Sequence, residues 1–319
     1  MSNETIPSLL DGSSKYPHSP LGLGTAALAI PYGPPGRERQ PIAEGEAVEV
    51  VEHAVDCGLR FIDTAPAYGA AEAIVGAATA GVGCTIATKL AIPQQGWDAL
   101  SKSDLRSAVR SSVESSLSAL RRDCIDVLQI HNADAVLISN GDLVNAIHEL
   151  KEEGLVGVIG ATTYGERNAL AAINADEVDL VQVAYSALDR RPESAVLGAA
   201  DDAGVQVVSR STLLHGVLTA AGQSLNGELA ALTSAANSFR EAIGAEWAQL
   251  AGAAVAWAVT RPDVATVLLG PRDESELDEL LAGATRFMRP ALSLDDSWQR
   301  ELSPDLLDPS CWPRQDAQP

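Results

Sequence analysis

Three features of the 319-residue sequence predict its fold class. Apolar runs recur eight times, beginning near Leu21, Leu59, Thr85, Ile125, Val156, Val178, Val205 and Val264. Helical stretches separate them, with helix–glycine–strand junctions at Gly58, Gly154 and Gly204. Three successive runs end in a polar side chain, as buried parallel strands do where they reach the rim of a barrel. Alternating strands and helices build parallel sheets, and eight such units suit a closed barrel better than an open, doubly wound sheet. The predicted class is therefore α/β, a (β/α)8 TIM barrel, a fold of about 250 residues plus insertions. A single domain spanning 1–319 is expected, with a loose N-terminal arm at 1–19 and a C-terminal extension at 285–319.

The elements follow in order. Leu21 to Thr25 reads as a short strand whose glycines permit close approach to the backbone. Ile30 to Pro41 is a proline-rich loop. Ala47, Val48, Val51, Ala54 and Val55 form the apolar stripe of a helix from Glu44 to Cys57, with Gly58 placed as its left-handed cap. Strand Leu59 to Asp63 comes next, then Cys84 to Lys89. Leu105, Ala108, Val109, Val113, Leu117 and Leu120 mark a helix that Ser103 can cap, followed by strand Ile125 to His131. Leu143 to Leu150 is helical and leads to strand Val156 to Thr162; Val178 to Tyr185 is the sixth strand. A helix through Ala195 to Ala203 precedes strand Val205 to Ser209. More than fifty residues then separate Ser209 from Val264, room for a long insertion after strand seven. Within it Ser211 to Asn226 reads as loop, and Leu229 to Ile243 and Trp247 to Val259 as helices. Strand Val264 to Leu269 and a helix over Asp273 to Leu281 complete the barrel. Long loops after barrel strands lie over the active-site face.

Composition narrows the function. Hydrophobic residues make up 46%, enough for a large core, and the formal net charge is -21. Such a surface excludes nucleic-acid and anionic-membrane partners, which require a basic face. The four cysteines, Cys57, Cys84, Cys124 and Cys311, form no CxxC pair, and Met1 to Pro20 holds no apolar signal core. No run is long enough to span a bilayer. A reduced, cytoplasmic protein is the expectation. Nothing matches GxSxG, a phosphate-binding loop or a zinc site, so no metal is expected.

The polar strand ends define the chemistry. Phe61-Ile62-Asp63-Thr64-Ala65-Pro66-Ala67-Tyr68-Gly69 brings a carboxylate and a phenol together; the next two strands deliver Lys89 and His131. A tyrosine with a pKa of about 10 is a poor acid or base at pH 7. A neighbouring ammonium stabilises its phenolate, an aspartate keeps the ammonium charged, and a histidine orients a carbonyl oxygen. Together they can protonate a developing alkoxide. No side chain is a hydride source, so reduction requires a nicotinamide cofactor.

With these motifs in place, the chain resembles the aldo-keto reductase superfamily. The resemblance rests on Asp63-Thr64-Ala65-x-x-Tyr68-Gly69, Ala87-Thr88-Lys89 and the strand ending in His131. It continues in Gly154-Leu155-Val156-Gly157-Val158-Ile159-Gly160 and in Val181-Gln182-Val183-Ala184-Tyr185 with Leu188-Asp189-Arg190-Arg191-Pro192. It spans roughly Leu21 to Leu281. Arg210-Ser211, and Asp308-Pro309 with Trp312, are similar to bacterial members met beside sugar-biosynthesis functions. The resemblance implies that Tyr68 is the general acid, Lys89 lowers its pKa, Asp63 pairs with Lys89 and His131 orients the substrate carbonyl. It implies that Tyr185 stacks on the nicotinamide, that Gln182 and Thr162 hold the carboxamide, and that Ser211 and Leu213 meet the pyrophosphate. Gly270, Arg272 and Glu276 would meet the adenosine phosphate, and Thr25 and Thr163 complete the cofactor set. Thr163 replaces the usual asparagine and supplies no amide. The acidic run Asp273, Glu274, Glu276 would repel a 2′-phosphate unless Arg272 and the helix N-terminus compensate. NADPH is the expected cofactor, with NADH as the other option, and a polar or sugar-like carbonyl the expected substrate. Two other readings use the same residues: a non-catalytic nucleotide-binding sensor, and a non-redox lyase or epimerase with Tyr68 as base.

Overall fold

The computed structural model describes residues 20–288 and 299–312. The expected arm at 1–19 and much of the C-terminal extension lie outside the described residues.

Eight strands close a parallel barrel in sequence order: β1 (Leu21–Gly24), β2 (Phe61–Asp63), β3 (Thr85–Lys89), β4 (Ile125–Ile130), β5 (Val156–Thr162), β6 (Leu180–Ala184), β7 (Gln206–Arg210) and β8 (Thr266–Leu269), with β8 pairing back onto β1. Every strand overlaps an apolar run of the sequence. The surrounding helices are α1 (Glu44–Asp56), α2 (Ala71–Ala78), α3 (Lys102–Leu120), α4 (Gly141–Glu152), α5 (Glu166–Ile173), α6 (Val196–Ala203), α7 (Ala230–Ala242), α8 (Leu250–Val259) and α9 (Glu274–Phe287).

Side chains on alternate strand positions fill the barrel. Phe61, Ala87, Val127, Leu180, Val208 and Leu268 form the interior cluster. The opposite strand faces pack on the helices in two larger clusters. In α1 four residues of the expected stripe are buried, Ala47, Val51, Ala54 and Val55; Val48 is only partly so, and Val50 is buried in addition. Burying each valine there contributes about 1.5–3 kcal/mol over leaving it exposed.

Some local features differ from the sequence reading. Ser101, not Ser103, caps α3: its Oγ accepts from the Asp104 backbone N–H. Helices α2 and α5 were not anticipated. Each is 8 residues long, too short for a clear amphipathic period. The segment read as loop after β7 contains 3₁₀ turns at Leu214–Gly216 and Ala220–Ser224. Helices α8 and α9 touch through Gly252 and Gly283; a Cβ on Gly252 would lie 2.5 Å from the Gly283 Cα, so neither admits a side chain.

Candidate active site

Strand parity builds the site. Two residues above Phe61, Ala87 and Val127 in the interior cluster stand Asp63, Lys89 and Gln129, all facing the barrel axis. Lys89 Nζ lies 2.8 Å from both carboxylate oxygens of Asp63 and 2.8 Å from the Thr64 carbonyl. Those contacts use all three of its protons. Two buried amides complete the Asp63 shell: Gln129 Nε2 donates to Oδ1 at 3.0 Å and Gln182 Nε2 at 2.7 Å. Thr25 fixes the same residue from β1, its Oγ donating to the Asp63 carbonyl at 3.0 Å.

Tyr68 sits at the end of the turn after β2. Gly69 follows it with φ +60°, a backbone conformation that glycine adopts freely. Lys89 Nζ is 5.0 Å from the Tyr68 ring centroid, and the His131 ring meets the Tyr68 ring edge-on at 6.4 Å. The structure therefore brings Asp63, Tyr68, Lys89 and His131 together. Burial, then the Asp63 charge, pushes the Tyr68 phenol above its ordinary value, so it stays protonated at neutral pH. Burial pulls Lys89 down while Asp63 supports its charge. Burial and the Lys89 charge depress His131 to about 4, leaving the imidazole neutral at pH 7. Lys89 stands 5.0 Å from the Tyr68 ring, but burial and the Asp63 charge outweigh it in the resting site, so the net shift of the phenol is upward.

A cavity of about 810 Å³ lies over the segments that follow β7 and β8; none of the four residues lines it. It is within the range of cofactor sites, roughly 300–1,000 Å³. Ser211, Leu213, Gly270, Arg272 and Glu276 all line it. Its chain segment after β7 is strained, with left-handed backbone at Ser211 (φ 59°), Leu214 (φ 44°) and His215 (φ 51°). Tyr32 stacks on His215 at 4.3 Å, and Trp312 meets His215 edge-on at 6.0 Å. Arg37 crosses the gap to bond the Ser224 Oγ at 2.7 Å and its carbonyl at 3.0 Å.

One acid of the run at this cavity, Glu276, is compensated, and Asp273 caps the helix by accepting from the Glu276 N–H at 2.8 Å. Glu276 pairs with Arg39 and also accepts from the Arg272 backbone N–H at 2.8 Å. Arg272 is 8% exposed; one Nη donates to the Gln40 carbonyl, while Nε and Nη1 have no protein partner. Burial and nearby Arg39 make its charge costly, and an anion would relieve that cost. Arg37, Arg39, Arg272 and Arg286 line the one cavity.

The remaining expected cofactor residues divide. Thr162 Oγ accepts from the Asn132 N–H at 2.8 Å, and Gln182 points at Asp63. Thr163 is buried with an unpartnered hydroxyl. Tyr185 stands apart. Three residues beyond inward-facing Gln182, it has the outward parity; its ring packs on Trp257 at 5.3 Å and its hydroxyl donates to Glu193 at 2.6 Å. Gln129, Arg39 and Arg210 were not assigned a part in the chemistry from sequence. Arg210 ends β7 two residues above interior Val208, the same polar-tip signal that marked Asp63 and Lys89.

The fold and site define a class. Residues 20–287 match the Aldo/keto reductase family, and the chain belongs to it. It is an NAD(P)H-dependent oxidoreductase of that family. Among curated relatives, it is 26% identical over 309 residues to L-galactose dehydrogenase of Arabidopsis thaliana, covering 90% of this chain and 92% of that one. It is 30% identical over 227 residues to NADH-specific methylglyoxal reductase of Escherichia coli, covering 65% and 68%. The fold is that of a Bacillus halodurans aldo-keto reductase in its holo form, with TM-score 0.68, 23% identity and coverage of 85% and 88%. Among the described residues no helix is long and apolar enough to cross a membrane.

Proposed function

We propose that this protein reduces the carbonyl of a polar, sugar-like aldehyde or ketone with NADPH, and that Tyr68 delivers the proton. The observation that carries the reading is the convergence of Tyr68 and His131, rings edge-on at 6.4 Å, with Lys89 5.0 Å from the phenol ring and paired to Asp63 at 2.8 Å. When bound, the nicotinamide supplies the hydride. Tyr68 donates its Oη proton to the carbonyl oxygen as negative charge develops there. His131, neutral, donates a hydrogen bond to the same oxygen and fixes its direction. Lys89 holds positive charge below the Tyr68 ring and stabilises the phenolate left behind.

NADPH is favoured over NADH by Arg272, which carries two buried, unpartnered donors and lines a cavity shared with Arg37, Arg39 and Arg286. Ser211, Leu213, Gly270 and Glu276 would line the rest of the cofactor, and the Thr163 hydroxyl is free for the carboxamide. The similarity to L-galactose dehydrogenase across 90% of the chain supports a hydroxylated substrate. The four unpaired cysteines support a cytoplasmic enzyme, and the one closed barrel supports a single domain.

The test is NADPH oxidation followed at 340 nm with hydroxylated aldehydes and aldoses against apolar aldehydes. Faster turnover of the hydroxylated set, with NADPH preferred to NADH, is expected. Absence of NADPH and NADH oxidation with every carbonyl would overturn the reading.

A further inference from the structure

Arg210 is a cation at the barrel mouth that the proposed chemistry does not use. Its position is fixed from several sides. It ends β7 in register with Ala184 of β6, on the inward parity set by Val208. Its Nη2 donates to the Thr163 carbonyl at 3.0 Å, and its guanidinium lies 4.1 Å from the Tyr164 ring centroid. Thr163 adjoins Thr162, which bonds the backbone of Asn132 next to His131, so these contacts lead back to the site. The Arg210 charge is felt by Tyr68, Lys89 and His131 on one side and by Tyr32 and His215 on the other.

No carboxylate among the described residues pairs with Arg210, although the chain carries 43 acids against 22 lysines and arginines. Arg210 lines a second cavity, of about 670 Å³, with Thr163, Tyr164, Asp189 and Asp308. Of the four acids that line it, Asp189 is held by two Arg191 donors at 2.7 and 2.8 Å, Asp308 accepts from the Ser310 N–H at 2.9 Å and Glu166 accepts from Ser194 at 2.6 Å, while Asp305 makes no ion pair with Arg210. The aromatic face and the one carbonyl bond orient the guanidinium, leaving its other N–H groups for a ligand. Half-buried and bonded only to neutral partners, such a fork recognises a carboxylate or phosphate by charge-assisted bonds.

We propose that Arg210 reads an anionic group on the substrate, so that the preferred carbonyl compound is an acidic sugar-like molecule bearing a carboxylate or a phosphate. The inference rests on the reductase reading and narrows its substrate class. The same fork could instead meet a cofactor phosphate, since Ser211 of the cofactor cavity is the next residue.

Two arms separate these possibilities. In the first, kcat/KM is measured with NADPH for glyoxylate against its methyl ester, and for glyceraldehyde 3-phosphate against glyceraldehyde. The wild type should prefer the anion at least tenfold in one pair. Arg210→Met should lose that ratio, and Arg210→Lys should restore part of it. Ratios below threefold in both pairs overturn the proposal while leaving the reductase reading intact. So does an Arg210→Met variant that keeps the ratio but binds NADPH tenfold more weakly, which assigns the guanidinium to the cofactor. The second arm needs no turnover: calorimetric binding of D-gluconate against sorbitol, with and without NADP⁺. Gluconate should bind at least tenfold more tightly to wild type and not to Arg210→Met. Equal binding of both overturns the proposal even if no carbonyl is reduced.

Discussion

Removing Arg272 should convert the cofactor preference. Its Nε and Nη1 are buried and have no protein partner, while its other Nη is anchored on the Gln40 carbonyl. The anchor holds the side chain still, so little rotamer entropy is lost when a phosphate arrives. Hydrogen bonds to charged groups contribute about 1.5–3 kcal/mol each. Two free donors, discounted for the desolvation of the 2′-phosphate, leave about 3 kcal/mol, or roughly a hundredfold in affinity. Arg272→Met should therefore weaken NADPH binding by about 30- to 200-fold. NADH affinity should move less than about threefold, because its ribose carries no phosphate for the guanidinium to meet. Glu276 keeps Arg39 in either case, so no acid is released to repel NADPH further. Titration of intrinsic fluorescence with each cofactor measures both constants. Equal weakening of NADPH and NADH would refute the reasoning and make Arg272 a structural support of the loop. Wild-type NADPH binding that is insensitive to salt would also count against it.

Three further outcomes follow from the geometry. Lowering the pH should destabilise the fold between about 6.5 and 4, because His131 and His215 have native pKa values near 4 and bind protons more readily when unfolded. Thermal melting across that window checks this, and His215→Gln should flatten the slope. Tyr185→Leu should cost about 2–4 kcal/mol of stability through the lost packing on Trp257, yet leave NADPH affinity within about threefold; chemical denaturation and fluorescence titration together decide it. Arg37→Ala removes the clasp to Ser224 and should raise the NADPH dissociation rate about two- to tenfold, as read by stopped-flow displacement.

The barrel was legible because its signals are local and repeated. Each strand is an apolar run, and Gly204 in the left-handed conformation ends α6 where the helix–glycine–strand pattern put it. Asp63, Lys89 and His131 were legible because an apolar strand ending in a polar side chain has one economical reading. The same logic would have found Arg210, had strand seven been carried one residue further. Tyr185 shows where motif matching and physics part. Its motif implied a platform for the nicotinamide, but alternation from Gln182 turns it outward onto Trp257. Gln129 could be read as inward from Val127, yet its bond to Asp63 depends on the stagger between β4 and β2, which no single strand encodes. The neutralisation of Glu276 by Arg39 joins residues 237 apart, and the contact of His53 with Asp278 joins residues 225 apart. Such pairings exist only once the last helix has docked beside the first.

The central claim is that Tyr68 supplies the proton. The most direct measurement is single-turnover reduction by Tyr68→Phe with NADPH at pH 7, alongside its NADPH dissociation constant. Loss of a general acid should slow the chemical step by about 10²–10⁴. Cofactor affinity should stay within about threefold, since the phenol makes no hydrogen bond that holds the cavity together. Turnover equal to wild type would contradict the account and pass the proton to another group at the mouth.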